Sequence, residues 1–140
     1  MNNENVREWL QLADDDLYSA KILNEQVRRP FEIICYHCAQ SIEKFLKAYL
    51  TFNNIIPRKT HDLIYLNNLC FENNDKFQDI KTICDFLNRF ANDIRYPHKY
   101  EINEDDVSFA INSVEKVSLL KPIIDIRGEI DKALAPVIQS

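Results

Sequence analysis

CYHCAQSIEKFLKAYL, running from Cys35 to Leu50, decides the fold of this chain. At about 100° per residue, Cys35, Cys38, Ile42, Phe45, Leu46 and Tyr49 fall on one side of a helix. His37, Gln40, Lys44 and Lys47 fall on the other. The first face is predicted to be core and the second to be open to a ligand or partner. Upstream, Arg28-Arg29-Pro30 closes a first helix from about Glu4, whose stripe is Val6, Leu10, Ala13, Leu17 and Ala20, with Trp9 at its edge. Asp14, Asp15 and Asp16 point about 100° apart and cannot converge on a metal ion, so they read as a solvated face.

Downstream of the central helix, predicted over about Phe31 to Phe52, Thr60 is the expected N-cap of a short helix reaching about Leu69, with Asp62 in its first turn. Glu72-Asn73-Asn74-Asp75 is then a polar break. Phe77, Ile80, Cys84, Leu87, Ala91 and Ile94, widened by Ile83 and Phe90, form the stripe of a fourth helix that runs toward Arg95 and stops near Pro97. Asn103 caps a fifth, with Glu104, Asp105 and Asp106 in its first turn and Val107, Ala110, Ile111, Val114 and Val117 along its stripe. Pro122 is expected to kink or end it, and Gly128 to act as a C-terminal stop. The predicted domain is residues 1–128. The tail, 129–140, is left open between capping the bundle, packing on a second subunit and disorder.

One glycine and five prolines in 140 residues leave little turn chemistry for a sheet, so the fold class is all-α. Seventeen basic against twenty-two acidic residues give a net charge of −5, which argues against a surface that grips nucleic acid all over. The N-terminus has no signal-peptide pattern and no apolar run approaches a membrane span, so a cytoplasmic protein with no membrane contact is expected. Four cysteines suit a reducing compartment. Cys35 and Cys38 form a C-x-x-C, but both lie on the apolar face while His37 points away; small buried residues are expected, with no metal site.

Three blocks in order, the one around Cys35 to Leu50, then Lys59-Thr60-His61-Asp62-Leu63, then Arg95-Tyr96-Pro97, resemble the HEPN family of small all-α domains. The likeness runs from about Trp9 to Val117. It implies an antiparallel up-and-down bundle of four main helices plus one short helix, in a homodimer. Many members are ribonucleases in which an Arg, four to six intervening residues and a His act together, the His moving a proton and the Arg stabilising charge on phosphate. This chain departs from that motif. Counting back from His98 the Arg would stand at Ala91, Asn92 or Asp93, and counting forward from Arg95 the His would stand at Tyr100, Glu101 or Ile102.

The expected function is therefore a non-catalytic interaction or nucleotide-binding module. Its likeness is to HEPN proteins paired with a minimal nucleotidyltransferase in a toxin-antitoxin arrangement. His37, Lys44, Lys47 and Arg95 are the expected nucleotide- or phosphate-binding residues, and no cofactor is implied. His98-Lys99-Tyr100 matches the His-x-Tyr tail of such toxins, which makes Tyr100 the modification site that the resemblance implies. One alternative is a metal-independent ribonuclease acting on RNA through Arg95 and His98; another is a purely structural helical domain.

Overall fold

The computed structural model describes residues 2–91 and 101–136. Its order is α1 (Asn3–Asn24), α2 (Phe31–Phe52), α3 (Leu63–Asn73), a 3-10 segment (Asp75–Ile80), α4 (Lys81–Leu87), a second 3-10 segment (Asn88–Phe90), α5 (Glu104–Ser118) and α6 (Lys121–Ala133). No strand occurs among the described residues. No helix there is long and apolar enough to cross a membrane.

α2 is the central element and packs against α1, α3, α5 and α6. Its apolar stripe is fully buried, as the periodicity predicts. Cys35, Cys38, Ile42, Phe45 and Leu46 are each 0% exposed. α1 lies antiparallel beside it. Trp9 stands opposite Lys47, Ala13 opposite Ser41, and Asp16 between His37 and Lys44, so residue numbers rise on one helix as they fall on the other. The Ser41 hydroxyl donates to the Ala13 carbonyl at 2.7 Å, a contact that small residues on both helices permit. Further along, α3 is tied down by the Tyr49 hydroxyl, which donates to Asn73, and the 3-10 segment after it by the Tyr49 ring, 4.6 Å from that of Phe77.

Helix ends explain most departures from the predicted boundaries. α1 stops at Asn24, short of Arg28, because its last apolar residue, Val27, is wholly exposed and adds no packing to offset the cost of another turn. The cap of α3 is Asp62, two residues beyond Thr60. Its carboxylate accepts from the backbone N–H groups of Ile64 (3.0 Å) and Tyr65 (3.2 Å), while the Thr60 hydroxyl accepts from the N–H of Asp62. Packing carries α3 on to Asn73, past Leu69. The fourth helix divides into α4 with a 3-10 turn on either side, and Phe77, Ile80, Ile83, Cys84, Leu87, Phe90 and Ala91 are buried as expected. Asn103 and Asp106 close a reciprocal capping box at α5, with bonds of 3.0 and 3.1 Å.

Pro122 opens α6 instead of ending a helix, since its missing N–H would be unpaired in the first turn anyway. Gly128 sits inside α6 and stops nothing. Helix continues through it to Ala133, with Ile130 in the core, so the first residues after 128 belong to the bundle. A Cβ added at Gly128 would meet nothing within 4 Å and the backbone there has no positive φ. Gly128→Ala is therefore expected to stabilise the fold by about 0.5–1 kcal/mol, read as a raised urea midpoint at unchanged slope.

Candidate functional site

The polar side of α2 is a seam covered in part by α1, not an open face. The side chains of His37, Lys44 and Lys47 are 28%, 20% and 16% exposed, and Gln40 is buried. Two carboxylates organise the seam. Asp16 of α1 takes His37 Nδ1 on one oxygen at 3.0 Å and the Lys44 ammonium on the other. One turn on, Glu43 takes Lys47 Nζ at 2.9 Å and His61 Nδ1 at 2.8 Å. A carboxylate only accepts, so Nδ1 carries the proton in both histidines. Their Nε2 edges are the ones left to meet a ligand.

His37 and Lys44 are thus brought together, as the sequence predicts. Lys47 is directed instead to Glu43, where its ammonium also lies 5.4 Å from the centre of the Trp9 ring. Arg95, His98 and Tyr100 lie outside the described residues. The expected solvated face of Asp14, Asp15 and Asp16 is corrected in two places. Asp16 is only 14% exposed, and Asp14 receives both arms of the Arg127 guanidinium at 2.9 Å, fastening α6 to α1. The sequence does carry a signal for Asp16, which lies between Ala13 and Ala20 at helical spacing on the buried stripe. A carboxylate there must find partners. Glu43 gives the same signal between Ala39, Leu46 and Leu50.

The C-x-x-C thiols are core groups. Burial pushes Cys35 up to about 12 and Cys38 higher still, which keeps both as protonated, unreactive core thiols near neutral pH. Among the described residues, no group of three or more His, Cys, Asp or Glu side chains is placed to hold a metal ion.

A helical bundle centred on α2 agrees with what known proteins share with the chain. The HEPN domain model matches residues 6–124, and the chain belongs to the HEPN family. In three dimensions it is similar to an archaeal HEPN homologue known from a crystal structure, with a TM-score of 0.62 and 22% identity over 89% of this chain and 97% of that one. No curated protein matches the sequence significantly.

Proposed function

We propose that this HEPN domain is a non-catalytic interaction and nucleotide-binding module, a homodimer that works beside a minimal nucleotidyltransferase in a toxin-antitoxin-like pair. The observation that carries the nucleotide part is the convergence of His37 and Lys44 on Asp16. One partly buried carboxylate presets both side chains, yet an ammonium spends one of its three N–H bonds on it and His37 keeps Nε2 for a ligand. A phosphate entering the seam would meet the Lys44 ammonium as a positioned donor, with Arg95 as a fork-shaped second, while His37 Nε2 accepts from a ligand hydroxyl. Support for the non-catalytic part is the sequence register, in which neither Arg95 nor His98 has its motif partner.

Calorimetric titration of ATP tests the nucleotide part. Saturable binding is expected, weakened about tenfold by Arg95→Ala through loss of a charge-assisted contact. No saturable heat, or heat unchanged by Arg95→Ala, removes the seam as a nucleotide site.

A further inference from the structure

Trp9, Thr51 and Pro57 form a wall shared by two clefts at the end of the bundle where α1 begins and α2 stops. One cleft, of about 310 Å³, is completed by Lys47, Arg58 and Lys59, and no carboxylate lines it. The other, of about 260 Å³, is completed by the amides of Asn2, Asn5 and Asn54 with Ile55 and Ile56, and no charged side chain lines it. A cationic chamber and a neutral, amide-rich chamber therefore share an indole.

The wall is preformed. Asn54 adopts φ 58°, a left-handed conformation that Asn tolerates better than other side-chain-bearing residues, and closes α2 with a Schellman pair of bonds: Ile55 N–H to Leu50 O at 2.9 Å and Asn54 N–H to Thr51 O at 3.1 Å. Arg58 is stacked 3.8 Å from the Tyr65 ring centre, and its backbone N–H donates to the Tyr65 hydroxyl. Asp62 lies 4.0 Å from the Arg58 guanidinium and Glu43 holds Lys47, but both acids stand outside the chamber lining. The negative end of α2 lies beside the positive end of α1, so the helix dipoles offset; Glu43 and Asp62 partly offset Lys47 and Arg58, and Lys59, with no acid partner among the described residues, leaves the chamber net cationic.

We infer that these paired clefts are a binding site for a nucleoside phosphate, separate from the His37–Lys44 seam. The phosphate sits among Lys47, Arg58 and Lys59, the base lies along Trp9, and the asparagine amides meet its polar edge. Three ligand properties correspond to three features of the wall: a multiply charged anion, a flat ring, and an edge bearing both donors and acceptors. Inorganic phosphate satisfies only the first.

Trp9 is the chain's single tryptophan, so its fluorescence reports on this wall alone. AMP, GMP, CMP, UMP and inorganic phosphate are titrated separately into the full chain. At least one nucleotide is expected to quench Trp9 saturably and to bind about tenfold or more tightly than inorganic phosphate, because the ring adds stacking. Lys59→Ala, at an exposed position whose loss leaves the core intact, is expected to weaken that quenching by about three- to tenfold, and Lys121→Ala, an exposed cation outside both linings, to leave it unchanged. Absence of saturable quenching with all four nucleotides overturns the site. So does quenching indifferent to both Lys59→Ala and Arg58→Ala, and equal affinity for inorganic phosphate overturns the base chamber. Nucleotide heat that is lost on Arg95→Ala without any change at Trp9 keeps the seam and overturns the clefts.

Discussion

Glu43→Ala is expected to destabilise the bundle by about 3 kcal/mol, the range for breaking a buried ion pair from one side. Glu43 is 3% exposed and holds both Lys47 and His61, so its removal strands an ammonium that is itself only 16% exposed. The contrast is with Lys121 and Asp125, an i,i+4 pair at 74% and 56% exposure, whose loss should cost less than about 1 kcal/mol. Urea unfolding measures both. Replacing Glu43 and Lys47 together by Leu and Met should recover much of the loss, because the uncompensated charge disappears with its partner. If Glu43→Ala and Asp125→Ala have equal midpoints, the seam is not a buried electrostatic structure.

Alkaline unfolding below about pH 12 is the second expected result. Cys35, Cys38, Cys70 and Cys84 are at most 1% exposed, and burial pushes all four thiols up, Cys35 and Cys84 to about 12 from an ordinary value of 9.0. Below pH 9 each thiol is protonated in the folded and unfolded chain alike, and contributes no pH dependence. Above it the unfolded chain releases protons that the folded chain retains, so stability falls as pH rises from about 9 toward 12. Each thiol contributes a slope on the order of 1 kcal/mol per pH unit. Four together exhaust a typical domain stability of about 5–15 kcal/mol within roughly one to three units. Helix content followed by circular dichroism should collapse in that window. Cys38→Ala, which deletes one titrating group, should shallow the slope. Thiolate absorbance appearing near pH 9 with helix content intact would contradict the burial.

The fold was legible wherever a single helix carried its own signals. α2 runs over Phe31–Phe52 as its stripe and the flanking Pro30 imply, and Asn103 caps α5 because the box lies within four residues of sequence. Gly128 misled because glycine is permitted in a helix interior at modest cost, and α6 gains enough from burying Ile123, Ile126 and Ile130 to pass through it. The site was half legible. His37, Lys44 and Lys47 follow from one helical wheel, but Asp16 joins them only once the antiparallel register of α1 on α2 is known. The clefts were harder still, since Trp9, Lys47 and Lys59 come from two helices and a loop, and no periodicity connects them.

A HEPN bundle with preset cationic groups, in which neither Arg95 nor His98 has its motif partner, is proposed to act by binding. Purification of the tagged chain from its native host at endogenous level, with mass spectrometry of the bound proteins and of the intact chain, tests that proposal most directly. The expected result is co-recovery of a small nucleotidyltransferase, with nucleotide mass localised to Tyr100 wherever that partner has acted on it. Recovery of the chain by itself, unmodified and cleaving RNA in a reaction that His98→Ala abolishes, would contradict it.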